Sequence, residues 1–288
     1  MRKSAGLLLA FLLHLPAADQ DPRVADALYR VSREASGLWQ TAPRFLARET
    51  ISQKALVSRK AKVKFSVGAA AVGRPAPKFE NREIVSFYSM GAYKDTPEAL
   101  REFRHMISVD GKALQDESAA REKFVYELAS NRDMDKEQLR SDFEKTCVAG
   151  AATDFGQLIL LFTKPNLPKY AFTFAGETRI GVDEALAIGF EQQGGAESLH
   201  ISEGNKKMQE KLRGEIAVRR GDFLPLRIDL NSSHSRDKNE IRDEAKLDYT
   251  VVSGALLPAA LVYRRWVNDE MVLESIYRYS QWQPIKAR

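Results

Sequence analysis

From Tyr170 to the C-terminus the chain passes through eight apolar-alternating stretches with no helical period between them. They read YAFTFAG, EALAIGFEQ, ESLHI, LRGEIAV, FLPLRIDLN, AKLDYTVV, LLPAALVYRRW and VLESIYRYSQW, and most are separated by Gly, Asp, Asn or Ser clusters. Side chains on a strand alternate between faces, so a period of two marks a strand with one dry face and one wet face. Short connections without helices leave no room for parallel crossovers and imply an antiparallel meander. Within it, LRGEIAVRRGDFLPLRI reads as a hairpin whose tip is Arg220-Gly221-Asp222. The turn needs a residue at positive φ, and Gly221-Asp222 is expected to supply it. The Arg-Gly-Asp tripeptide is thereby explained as a turn, without an adhesion receptor.

A one-sided sheet needs a cover for its dry face. Residues 22–40 space Val24, Leu28, Val31, Ala35, Leu38 and Trp39 at helical intervals, starting near Asp21-Pro22. Residues 118–130 and 136–147 read as two more helices, the second capped by Asp135 with Gln138 three residues on. Gly150 is expected to end it, and Asp154 to cap a short apolar helix, FGQLILLF. Before these, FLARETISQKALV, REIVSFYSM and REFRHMISV read as strands, the last with Phe103, His105, Ile107 and Val109 on one face. Residues 68–82 read as a long loop. Five aromatics, Tyr263, Trp266, Tyr277, Tyr279 and Trp282, fall on the last two strands, where core packing is the simpler reading.

The N-terminus, MRKSAGLLLAFLLHLPAADQ, combines two basic residues, an apolar run too short to span a bilayer and a small-residue zone. Residues 1–18 are therefore expected to be a signal peptide. Residues 19–288 are expected to form a single exported domain, periplasmic or secreted and soluble after cleavage, with a helical insertion at about 112–148. The one cysteine, Cys147, cannot make an intramolecular disulfide and reads as a buried apolar residue.

Catalytic signatures for acyl transfer, zinc hydrolysis, dithiol redox chemistry, and dinucleotide or phosphate binding are absent from the sequence. His105, His200 and His234 lie far apart and lack metal-ligand spacing. The expectation is a protein that is not an enzyme, with no catalytic residue, cofactor or metal. Charge is concentrated between Thr41 and Arg82, where ten basic residues face two acidic ones. Within that run, RKAKVKFSV alternates as a strand that puts Lys60, Lys62 and Lys64 on one face. Such lysines guard a sheet edge, or they contact an anionic surface or an acidic partner. Nucleic acid is not expected, because the chain is exported and the run lacks stacking aromatics.

The order LILLF, YAFTFAGETRIG, DEALAIGFE, LRGEIAVRRGDFLPLRIDL and AKLDYTVVSGALLPAALVYRRW resembles periplasmic outer-membrane lipoprotein-sorting proteins and their lipoprotein-carrier relatives. The first helix followed by ETISQKAL is similar as well. The resemblance lies mainly in residues 154–282. It implies an α+β fold in which a curved antiparallel sheet, an incomplete β-barrel, is covered by helices on its concave face. It also implies a hollow of the kind in which many of those proteins hold acyl chains. The chain departs from the compact carriers in its helical insertion and its basic region at 54–82. Arg48 is a positional candidate for the arginine with which carriers latch their lid. Two functions stay open. One is an exported periplasmic binding protein holding a lipid acyl chain or lipidated protein between sheet and helices. The other is an envelope interaction or regulatory module acting through its sheet face or basic strand, with no bound lipid.

Overall fold

The computed structural model describes residues 21–57, 78–130, 132–148, 153–194, 201–203, 206–208, 211–236 and 239–285. The expected signal peptide, the strand bearing Lys60, Lys62 and Lys64, the loop at 68–77, Gly150 and His200 lie outside the described residues.

Helix α1 (Pro22–Thr41) starts where proline at its first position and Asp21 at its cap predict. The Asp21 carboxylate accepts the Arg23 backbone N–H at 2.9 Å. Strands β1 (Phe45–Leu56), β2 (Phe79–Ala92), β3 (Leu100–Val109) and the two-residue β4 (Lys112–Ala113) follow. Helices α2 (Glu117–Ala129) and α3 (Asp133–Thr146) come next, and residues Leu158–Phe162 make a 3-10 turn. The second half comprises β5 (Tyr170–Ile180), β6 (Asp183–Gln192), β7 (Ile201–Glu203), β8 (Lys206–Met208), β9 (Arg213–Arg219), β10 (Pro225–Arg236), β11 (Asn239–Val252), β12 (Ala255–Val267) and β13 (Glu270–Pro284).

Eleven strands form one antiparallel sheet in the order β4-β3-β2-β1-β13-β12-β11-β10-β9-β6-β5. The C-terminal half is the expected meander, and its last strand pairs with β1, so the first and last strands are neighbours mid-sheet. β4 and β5 stay on opposite edges, so the curved sheet does not close. Register shifts at Leu46/Arg48, Val85/Ser86, Phe174/Gly176 and Asp248/Tyr249 add the extra residues that bend strands. ESLHI departs from expectation. Its described residue, Ile201, belongs to a separate hairpin of β7 with β8 between β6 and β9.

The inner, concave face is buried and carries most of the apolar core. Val24, Ala27, Leu28, Val31, Ala35 and Leu38 of α1 pack there with Ile188, Ile216, Ile228, Leu247, Leu257 and Leu261 from the strands. α2 and α3 add a second layer on the opposite face of β2 and β3. There Val85, Phe87, Phe103 and Ile107 meet Ala120 and Phe124 of α2 and Leu139 of α3. β3 is thus buried on both sides. His105 packs in this second layer, its Nδ1 2.9 Å from Glu127 and its other nitrogen against Gln115. Among the described residues no helix is long and apolar enough to cross a membrane.

Four local expectations are corrected. Phe79–Arg82 are strand, paired with Lys54 and its neighbours, and not loop. α3 begins at Asp133, so Asp135 lies in its first turn, taking hydrogen bonds from Ser130 and Arg132, and Gln138 reaches forward to Asp142. Asp154 caps no helix, because ion pairs with Arg140 and Arg101 and the Glu102 backbone N–H claim its carboxylate. In the β9–β10 hairpin the left-handed residue is Phe223, at φ 56°, rather than Gly221 or Asp222. Asp222 is instead locked to Arg219 by bonds of 2.9 and 2.7 Å. That pairing holds its pKa down at about 2.

Candidate functional site in the concave face

A strap of residues 154–162 crosses the concavity from one edge of the sheet to the other. At the β3 end, Glu102 accepts the backbone N–H groups of Asp154 at 2.9 Å and Gly156 at 2.6 Å, and Glu102 N–H donates back to Asp154. Mid-strap, the Phe155 ring lies 5.4 Å from Tyr263 on β12, and Ile159 N–H donates to the Tyr249 hydroxyl on β11. At the far end Phe162 sits against Phe190 of β6 and Tyr170 of β5, with centroids 4.9 and 5.6 Å apart. α1 lies along the strap and reaches β12, β10 and β5. The two together fill the concavity. Ile159, Phe162, Val31 and Ala35 are fully buried.

The surface beneath this lid is amphipathic. Strands β6, β9 and β10 contribute aliphatic and aromatic side chains. Toward β13, β1, β2 and β3 the same face becomes polar. Odd-numbered positions of β1 face inward, which brings Glu49 and Gln53 inside. Arg104 on β3 forks onto Glu49 at 2.8 and 2.9 Å and also reaches Glu102 at 2.9 Å. All three side chains are at most 1% exposed. The guanidinium packs against the rings of Phe143, Tyr88 and Tyr277, 4.6, 5.1 and 5.6 Å away. Tyr88 donates to Glu102, and Ser86 to Glu49. Burial raises the Glu49 pKa, and Arg104 offsets that only in part. Burial works against the Arg104 charge too, but the two carboxylates outweigh it and hold its pKa above the ordinary guanidinium value. A second buried pair, Asp243 with Arg265 and Tyr263, lies further along β11 and β12.

The outer face behaves as a solvated surface. Glu191, Arg213, Asn231, Glu244, Arg264, Glu274 and Lys54 stand side by side across seven strands, mostly alternating in sign. An open cleft of about 910 Å³ lies over part of this ladder.

Arg48 does not belong to the concave face. It lies on the outer side of β1 and pairs with Glu117 at the start of α2. The buried arginine that faces the strap is Arg104, reached only because β3 pairs beyond β2. The strict alternation REFRHMISV holds one hint, since it places Glu102 and Arg104 together on the face opposite Phe103 and His105. Tyr277, Tyr279 and Tyr263 are core residues, as their pattern predicts. Cys147 is buried beside them, its thiol pushed up to about 12 by burial. Among the described residues no three His, Cys, Asp or Glu side chains gather as a metal set.

The architecture implied by the lipoprotein-carrier resemblance, an unclosed antiparallel barrel with helices against it, is the one this chain adopts. No family model and no curated protein matches the sequence. Similar solved structures include the following two. One is a DUF1329 family protein from Desulfovibrio piger, with 11% identity over 92% of this chain and 94% of the other, at a TM-score of 0.37. The second is a LolA superfamily protein from Nitrosomonas europaea, with 8% identity over 91% and 94%, at a TM-score of 0.33. At these scores the likeness assigns no residue a role.

Proposed function

We propose that this chain is an exported, non-catalytic binding protein that holds an acyl chain, of a lipid or a lipidated protein, between its sheet and the strap and α1. The observation that carries the reading is the concave face itself. An apolar surface on β5, β6, β9 and β10, continued by Leu247, Leu257 and Leu261 of β11 and β12, lies beneath α1 and the strap. The present structure is then the closed form, in which α1 and Phe162 occupy the space an acyl chain takes when they swing aside. Each methylene transferred from water contributes roughly 0.8 kcal/mol, so a long chain supplies ample binding without any catalytic group or cofactor. Titrating the protein with an environment-sensitive fluorescent fatty acyl probe tests this. Saturable enhancement, reversed by unlabelled long-chain lipid, is expected. Unchanged fluorescence at high protein concentration contradicts it.

The outer cleft favours a second reading, an envelope interaction module that binds no lipid. In that case reversing Lys60, Lys62 and Lys64 to Glu, or Arg213 and Arg264 to Glu, abolishes capture of the partner while acyl probes remain inert.

A further inference from the structure

The inner face carries more hydrogen-bonding capacity than the closed structure uses. The hydroxyls of Tyr277 and Tyr279, adjacent on the inward face of β13, are buried and have no hydrogen-bond partner among the described residues. Their immediate neighbours are polar and charged. The Tyr277 ring is 5.6 Å from the Arg104 guanidinium, and the Tyr279 ring lies 4.7 Å from the ring of Tyr88, tilted by 54°; Tyr88 donates to Glu102. Burial raises both phenol pKa values far above neutrality, so both hydroxyls keep their protons and remain donors. The nearby acceptors are already engaged. Glu49 takes Ser86 and both arms of Arg104, and Glu102 takes Tyr88, Arg104 and two backbone N–H groups. With two carboxylates against one guanidinium, the ionised cluster carries an excess of negative charge.

Resting on the acyl-chain reading, we infer that Tyr277 and Tyr279 form a carbonyl-recognition subsite. In it the two hydroxyls donate to the ester or amide carbonyl of an acyl group whose tail lies on the apolar half toward β6, β9 and β10. A buried donor without an acceptor is costly, so a ligand carbonyl that satisfies it is favoured over a chain that brings none. The excess negative charge disfavours a ligand that delivers an anion to the same place. The ligand class is therefore a neutral acyl ester or amide. Glycerolipids and N-acylated peptides both carry that group.

Three matched sixteen-carbon amphiphiles test the subsite by displacing an apolar fluorescent dye. They are 1-palmitoylglycerol, its ether analogue 1-O-hexadecylglycerol, which has the same head and tail without the carbonyl, and hexadecyl sulfate. An N-palmitoyl dipeptide amide run alongside distinguishes an amide source from an ester source. The ester is expected to compete at about tenfold lower concentration than the ether, with the sulfate weaker than both. In Tyr277→Phe combined with Tyr279→Phe, ester and ether are expected to compete equally. Removing an unsatisfied hydroxyl leaves folding intact, and the single variants serve as controls by thermal melting. Equal competition by ester and ether in the wild type, or a preference that survives in the double variant, overturns the subsite while leaving acyl binding standing. If no amphiphile displaces the dye, the acyl-binding reading falls and the subsite with it.

Discussion

Arg104 grips Glu49 with two parallel hydrogen bonds of 2.8 and 2.9 Å in the interior of the protein, and one of the same nitrogens bridges to Glu102. Four strands and α3 converge on this one guanidinium, and the strap hangs from Glu102 beside it. Removing it leaves two carboxylates buried without a cation. Arg104→Met is therefore expected to lower unfolding free energy by about 3–5 kcal/mol in urea titrations, and Arg104→Lys to recover little, since an ammonium cannot reproduce the fork. Arg48→Ala removes only a solvent-exposed pair with Glu117 and is expected to cost under about 1 kcal/mol. Equal losses at the two arginines contradict this placement of the ionic core.

The pH dependence of stability separates Glu49 from Asp222. The folded-state pKa of Glu49 is raised above the ordinary 4.5, so above that value the folded protein keeps a proton that the unfolded chain releases. Its contribution is full below 4.5 and is lost as pH rises through the folded pKa. Asp222 has the opposite sign. Its pKa is lowered to about 2, so its contribution is present above the ordinary 3.8 and is lost as pH falls toward 2. Urea midpoints followed upward from about pH 4 should decline less steeply in Glu49→Gln than in wild type, whereas Asp222→Asn alters only the acid limb. Parallel curves for Glu49→Gln and wild type contradict the assignment.

Gly156 is where the strap has no room to spare. A Cβ there would sit 2.5 Å from both the Glu102 carboxylate and the Tyr88 hydroxyl. Gly156→Ala must push the strap off its anchor, at a cost of roughly 1–3 kcal/mol. Hydrogen exchange at residues 156–162 should rise in this variant while exchange in the β11–β12 pair stays protected. Unchanged protection along 156–162 means that Glu102 does not hold the strap.

Cys147 reports on the same region. It ends α3, is buried, and its thiol is pushed up to about 12. A thiol-specific reagent at pH 8 should label native protein far more slowly than urea-unfolded protein, and Arg104→Met should accelerate labelling. Immediate labelling of the native protein would place Cys147 at the surface.

Much of the sheet was legible because its determinants are local. Period-two alternation and turn residues predict β9–β13 almost strand by strand, and Asp21-Pro22 predicts the start of α1. Most of the failures trace to partners that the local sequence does not show. Asp154 is a good cap by local chemistry, but partners distant in sequence, Arg140, Arg101 and the Glu102 N–H, took its carboxylate elsewhere. Asp135 fails as a cap because α3 already starts at Asp133, and Ser130 and Arg132 hold its carboxylate. Phe79–Arg82 has loop composition yet pairs with β1, and a pairing partner is not visible in the segment itself. The candidate site was the least legible part. Glu49, Arg104, Tyr88, Tyr277 and Tyr279 come from four strands, and they meet only because β13 returns to pair with β1. Arg48 and Glu49 are neighbours in sequence on opposite faces, so an assignment one residue away selected the wrong side of the sheet.

The central claim is that the concave face holds an acyl chain, and the most direct measurement is mass spectrometry of organic extracts from protein recovered from its native compartment without detergent. The account predicts acyl lipid in near-stoichiometric amount, lost after denaturing extraction and refolding and regained on incubation with lipid. Protein that carries no lipid and takes up none when offered it would contradict the account.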